Sequence, residues 1–348
     1  MTTSNTGDFH DEQPGSLIAA LPAALGFAPE SSLVLVTLDN GAMDCVMRAD
    51  LSEGTMFAVD EIADLASSGD CVAAMAVIVD ADGATCRMCD DEHHRLADAL
   101  AMALDDRGID LVAAYVVDRV CAGGRWHCAD GCGRSGIVDD PSASPMAAEA
   151  VLHGRRLYGT RAELLKVITA TDPARLQVLR VAIADATASG HTERVDADTR
   201  ADVEHAIATA GATARGCWPS NADLTRLACA LSDPRVRDML YALAVGSEAS
   251  QAESLWALLA RTLPDPWRVD ALALLAFSAF ARGDGPLAGV ALEAALSRDG
   301  GHRMATMLDQ ALRSGMRPEQ IRELGRSGYR LAAQLGVTLP PRSLFRPR

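Results

Sequence analysis

Two uncharged runs in the first half of the chain restrict its fold more than any other feature. Residues 71–79 (CVAAMAVIV) and 111–117 (LVAAYVV) carry no ionised group. Runs of this length and branched content are expected of strands covered on both faces, which requires helices above and below a sheet. Between them, residues 92–107 place Leu96, Leu100 and Leu104 on one helical face and stop at Gly108. Strand, helix, strand predicts a right-handed crossover between parallel strands. Upstream, residues 32–38 (SLVLVTL) and 42–48 flank Asn40-Gly41. Asn-Gly is the strongest short hairpin signal, because both central residues take positive φ. Residues 57–67 read as a helix closed by Ser68-Gly69, and 125–128 as an edge strand after a glycine turn. The expected fold of this half is α/β with a mixed, mostly parallel sheet.

After Pro145 the strand signal disappears. Residues 147–156, 161–169, 173–189 and 199–210 read as helices, and the pattern continues from 221 to the end. The expected organisation is a disordered tail at 1–12, an α/β domain at 13–165 and a helical connector with a polar linker at 166–198. An all-helical, repeat-like domain follows at 199–340, then a basic tail at 341–348. Within it, residues 269–302 fit a 34-residue helix-turn-helix unit. Leu272, Leu275 and Ala276 hold the packing positions of the first helix, Gly283 the turn, and Ala288, Leu292 and Ala295 the second. The spacing resembles tetratricopeptide hairpins and predicts a groove for a protein partner on the helical half.

Charge separates the halves further. Residues 1–150 carry 26 acidic against 7 basic side chains, and residues 151–348 carry 21 against 25. A net charge of −15 argues against nucleic-acid binding by the whole chain. It leaves only the arginine-rich C-terminal tail for such contact. The N-terminal residues lack the basic start and apolar core of a secretory leader, and no apolar run approaches a bilayer span of roughly 20 residues. A cytoplasmic protein with no membrane association is expected, its nine irregularly placed cysteines being reduced thiols or metal ligands.

Some of those cysteines could form a site. Cys86 and Cys89 follow the first buried run, with His93 nearby, and Cys121, His127, Cys128 and Cys132 follow the second. C-x2-C plus C-x3-C at one sheet edge could supply a tetrahedral zinc site from Cys86, Cys89, Cys128 and Cys132, with His127, His93 or Cys121 as substitutes. A redox role for Cys86 and Cys89 is disfavoured on this reading, because the helix pattern starts only near residue 92. Asp90, Asp91 and Glu92 read as the acidic start of that helix. No P-loop, dinucleotide-binding glycine fingerprint, H-E-x-x-H or G-x-S-x-G is present.

Residues 14–38 (PGSLIAALPAALGFAPESSLVLVTL), 48–51 (RADL), 124–126 (GRW) and 140–154 (DPSASPMAAEAVLHG) resemble the actinobacterial domain-of-unknown-function 4192 family. Residues 230–240 (ALSDPRVRDML), 266–268 (PWR) and 271–296 extend the resemblance into the helical half. The family implies no activity that can be carried over. Its members share a tryptophan-bearing segment followed by cysteine and proline; residues 126–133 (WHCADGCG) lack the proline, and the Cys86/Cys89 pair is not a family feature. Arg125 and Trp126 are candidate ligand-binding residues, a guanidinium and an indole suited to an anionic or planar ligand. The expected function is a non-enzymatic interaction or regulatory module acting through the helical half. The alternative is a metal-assisted hydrolase at the carboxyl edge of the sheet.

Overall fold

The computed structural model describes residues 14–39, 42–52, 54–67, 69, 71–152, 155–189 and 195–342. The expected tail at 1–12, the Asn40-Gly41 turn, residues 190–194 of the polar gap and residues 343–348 lie outside the described residues. The chain divides into two compact units, residues 1–164 and 165–348.

The first unit comprises α1 (Pro14–Leu25), β1 (Ser32–Asp39), β2 (Ala42–Asp50), α2 (Thr55–Ser67), β3 (Ala73–Val79), α3 (Arg87–Asp105), β4 (Asp110–Val117), β5 (Arg125–Cys128), β6 (Ser135–Ile137) and α4 (Pro145–Leu152). A short helix, α5 (Arg161–Leu165), lies at the division. The six strands form one mixed sheet in the order β2-β1-β3-β4-β5-β6. Among the described residues only β3 and β4 pair in parallel; every other neighbouring pair is antiparallel. The sheet is therefore mixed but not mostly parallel, and the cause lies in the connections. Short loops join β4 to β5 and β5 to β6, and only two residues separate β1 from β2, connections too short for the crossover that parallel neighbours need. The α2 crossover does join strands running the same way, β2 and β3, but β1 sits between them.

One sheet face carries Leu33, Leu35, Ala74, Ala76, Ile78 and Val116, packed against Val59 and Ile62 of α2 and Leu96, Leu100 and Leu104 of α3. The three leucines lie at intervals of four, so a single helical stripe enters the core. Truncating fully buried Leu100 to alanine would cost about 2–5 kcal/mol. The opposite face presents Val34, Val36, Val77 and Val117, all buried. It is covered by α1, on which α4 packs.

The second unit is all helical: α6 (Pro173–Ser189), α7 (Asp196–Ala214), α8 (Asn221–Leu231), α9 (Pro234–Leu240), a 3-10 turn (Tyr241–Val245), α10 (Ala249–Thr262), α11 (Arg268–Arg282), α12 (Gly285–Leu296), α13 (Arg303–Arg313) and α14 (Pro318–Leu335). Helix α6 packs on α8 and so belongs to this unit, where the sequence suggested a connector. The hairpin expected at 269–302 is present as α11 and α12. However, α11 is buried from Val269 to Ala281 apart from half-buried Asp270. A helix apolar all round is a core helix, and α8, α9, α10, α12, α13, α14 and the 3-10 turn all pack against this one. Its surface is therefore largely enclosed by neighbours. Helices α13 and α14, by contrast, bury only one stripe each, Ala305/Leu308/Ala311 and Ile321/Gly325/Gly328/Ala332.

Candidate functional site

Because β3 and β4 are parallel neighbours, the loops that follow them open at the same carboxyl edge. At the end of β3, Asp80 folds its side chain back over the turn that follows. Its carboxylate accepts hydrogen bonds from the N–H groups of Gly83 (2.9 Å) and Asp82 (3.2 Å) and pairs with His93 Nε2 at 2.9 Å. Burial raises the pKa of this group, but the bonds from Gly83, His93 and Asp82 outweigh it and hold the carboxyl below its ordinary value. His93 is itself only 4% exposed, and its Nδ1 has no hydrogen-bond partner. Both residues border a cavity of about 510 Å3 that Leu51 and Thr55 also line.

Helix α3 starts at Arg87, which makes Cys86 its N-cap residue and puts Cys89 in the first turn. The sequence reading that separated this pair from a helix start is thus corrected. The leucine stripe begins only at Leu96 because the inward positions before it are held by Cys89 and His93, residues that an apolar periodicity does not register. The Cys86 sulfur closes no capping hydrogen bond. Even so, the Cys89 N–H, the Cys89 thiol and the Met88 N–H lie near enough to favour its thiolate and hold its pKa down. Cys89 shifts the other way: its S–H donates to Cys86, and burial and the charges of Cys86 and Asp80 push it up further. Gly83 makes this arrangement possible. A Cβ there would fall 2.0 Å from Asp80 Oδ2 and 3.1 Å from Cys89 Cβ.

The β5 strand meets the same helix end. His127 Nε2 lies 3.1 Å from Asp90 Oδ1, and His94 Nδ1 lies 2.8 Å from the Ala129 carbonyl oxygen. Just beyond, Cys128, Asp130 and Cys132 form a group whose ligand atoms all lie within 4.8 Å of one another. Asp130 accepts the Cys132 N–H at 2.9 Å. A further hydrogen bond from the Cys132 thiol and this N–H hold its carboxyl below the ordinary value. Cys128 is pushed up to about 12 by burial first, then by its hydrogen bond to Cys132 and the nearby acidic groups.

The proposed quartet of Cys86, Cys89, Cys128 and Cys132 does not converge, since neither Cys86 nor Cys89 joins the second group. Strand alternation explains the separation. His127 faces α3, as its bond to Asp90 shows, so the adjacent Cys128 side chain points through the opposite face of the sheet. There it sits across from Tyr115 in the β4–β5 register. Cys121 is exposed before β5 and joins neither group.

The same alternation separates Arg125 from Trp126, so the two cannot clamp one ligand between them. Trp126 is 7% exposed and packs edge-on against Tyr115 at 5.4 Å, with its indole N–H donated to the Ile137 carbonyl at 3.3 Å. Gly136 lies against its ring, where an added Cβ would come within 2.9 Å. The indole is committed to packing, and Arg125 is exposed on the other side. Sequence reasoning missed Asp80, Gly83 and Asp130. The run Asp80-Ala81-Asp82-Gly83 directly after a strand was a legible turn signal for the first two, and Cys128-x-Asp130-x-Cys132 was legible for the third.

Fold and site define a protein of two units: a mixed α/β unit with a dithiol at a helix start, and an all-helical unit. A family model described as Domain of unknown function (DUF4192) matches residues 14–319, and the chain belongs to that family. No curated protein and no solved structure matches the chain. Among the described residues, no helix is long and apolar enough to cross a membrane.

Proposed function

We propose that this protein is a thiol-responsive regulatory module without a catalytic role of its own. The Cys86–Cys89 pair cycles between dithiol and disulfide, and the helical unit carries the surface for a protein partner. The observation behind the first part is the placement of Cys86 at the N-cap and Cys89 in the first turn of α3, where free N–H groups favour a thiolate; Cys86 is accordingly held down and Cys89 pushed up. Residues at i and i+3 share a helix face. The depressed thiol is the nucleophile, and its raised neighbour stays protonated until it is needed. The oxidant is a disulfide of the glutathione class. The Cys86 thiolate attacks one sulfur and releases the other as a thiol. Cys89 then loses its proton and attacks Cys86, forming the internal disulfide and releasing the second thiol. Two electrons and two protons pass from the pair to the oxidant. A compartment that keeps thiols reduced, the cytoplasm, suits such a cycle. Trp218 supports the partner surface, because its indole is 69% exposed between α7 and α8 and tryptophans anchor interfaces. The reading concerns this chain, since the pair lies outside the family resemblance.

The test is equilibration with glutathione disulfide, followed by thiol mapping. The reading expects one disulfide, between Cys86 and Cys89, and a stable mixed disulfide at Cys86 in the variant Cys89→Ser. Retention of both thiols as free groups under oxidising glutathione overturns it.

A second reading rests on the Cys128, Asp130 and Cys132 group. Two sulfurs and a carboxylate suit a soft divalent cation such as zinc and leave one tetrahedral position open, which the metal-assisted hydrolase alternative requires. Elemental analysis of protein purified without added metal tests it. About one zinc per chain, lost in Cys128→Ser, supports the site, and metal-free protein removes it.

A further inference from the structure

The helical unit holds a cavity of about 560 Å3 among α9, the 3-10 turn, α13 and α14, closed on the inside by Phe277 of α11. Its chemistry differs on its two sides. Phe277, Met304, Met307 and Leu324 supply apolar wall, and Met307 and Leu324 are 40% and 43% exposed. Large side chains left this accessible around a concavity mark a place where apolar surface can still be covered. Methionines suit such a wall because their flexible thioethers conform to varied shapes.

The polar side contains an unsatisfied group. Tyr241 lines the cavity, is 5% exposed and stacks at a tilt on Phe277 with centroids 4.9 Å apart. Its hydroxyl is buried and has no hydrogen-bond partner. Buried polar atoms in native proteins are almost always paired, so an orphaned phenol at a cavity wall points to a ligand that completes it. Two exposed side chains of opposite charge also line the cavity. Asp238 and Arg303 both line the cavity, and neither makes an ion pair among the described residues. Arg237 and His302, also on the wall, are already engaged: Asp270 accepts from Arg237 and lies 3.1 Å from His302 Nε2.

We propose that this cavity is a binding site for a small zwitterion with an apolar body, of the class of aromatic or branched amino acids. The body lies against Phe277, Met304 and Met307. Its ammonium faces Asp238, its carboxylate faces Arg303, and a polar atom of the head group completes the Tyr241 hydroxyl. An anion alone would leave Asp238 repelling it, and a cation alone would do the same at Arg303. The zwitterion is the head group that matches both. The site lies in the helical unit and uses no residue of the thiol chemistry, so it stands or falls separately from that reading.

The experiment is a titration of the full chain, labelled at methionine methyl groups and followed by NMR, with L-phenylalanine as the probe. The Met304 and Met307 signals are assigned by Met304→Leu and Met307→Leu. The proposal expects both signals to shift, with a dissociation constant on the order of 1 mM or tighter. Phenylpropionate, which lacks the ammonium, and phenethylamine, which lacks the carboxylate, should each bind at least about fivefold more weakly, as should L-phenylalanine to Tyr241→Phe and Arg303→Gln. Tyr241→Phe keeps the ring packing, so a retained wild-type methyl spectrum verifies its fold, and Arg303→Gln changes an exposed side chain. Unshifted Met304 and Met307 signals overturn the site. Equal or tighter binding of either truncated probe overturns the zwitterionic class, and unchanged affinity in Tyr241→Phe overturns the role of the phenol.

Discussion

The two cysteine pairs of the N-terminal unit have nearly the same spacing and opposite chemistry. Cys86 and Cys89 sit where a helix starts, and Cys86 is held down by backbone and thiol donors. Cys128 and Cys132 flank a carboxylate beyond a strand, and Cys128 is pushed up to about 12 by burial and its acidic neighbours. What separates them is the orientation of the surrounding dipoles and charges, which a C-x-x-C or C-x3-C spacing does not contain. Free N–H groups at a helix start favour a thiolate. A neighbouring carboxylate and a partly desolvated strand disfavour it. The same logic underlies the two different proposals for the pairs: thiol exchange at the first and metal capture at the second.

The contrast can be broken most directly by alkylation. With limiting iodoacetamide at neutral pH, Cys86 should be modified at least about tenfold faster than Cys128. Peptide mapping reads the two rates, and equal rates would abolish the distinction. Next in size is Gly83→Ala, because the new methyl displaces Asp80 or Cys89. It should destabilise the protein by about 1–3 kcal/mol in urea unfolding. It should also slow Cys86 alkylation, since the Cys89 donors move away. An alanine variant with wild-type stability and reactivity would show that the loop does not depend on that close approach.

A smaller effect is expected of Asp130→Asn. Removing the charge lowers the Cys128 pKa, so alkylation of Cys128 should rise by a factor of a few while that of Cys86 stays constant. Smallest is the acid response of Asp80. Its folded pKa lies below the ordinary value of 3.8, so its contribution is complete above that value and is lost as pH falls through the folded pKa. Asp80→Asn should therefore show a shallower loss of stability below pH 3.8 than the parent chain, measured by urea midpoints across the acid range. Parallel curves would remove Asp80 from the acid response.

Much of the architecture was legible in residue order. The uncharged runs ending at Val79 and Val117 identified the two central strands, and Leu96, Leu100 and Leu104 identified the helix between them, because burial imposes a period that the sequence records. The strand–turn–strand pattern around Asn40-Gly41 predicted the pairing of β1 with β2, although the turn itself lies outside the described residues. The start of α3 was not legible, since its first inward positions are Cys89 and His93 rather than apolar residues and Cys86 is an unusual N-cap. Nor could spacing show that β1 lies between β2 and β3, which made the sheet mixed rather than mostly parallel.

The sequence by itself determined the class of each half, an α/β unit followed by a helical one, and the residues available for chemistry. Only the tertiary structure decided which of those residues meet. Periodicity is local, a matter of each side chain against its own helix or strand. Convergence depends on strand order and on which face of the sheet a residue occupies, so two cysteines can follow parallel neighbouring strands and still point to opposite sides. The enclosure of α11 has the same origin: its apolar residues announced a packed helix, and only the helices around it decided how nearly complete its burial is.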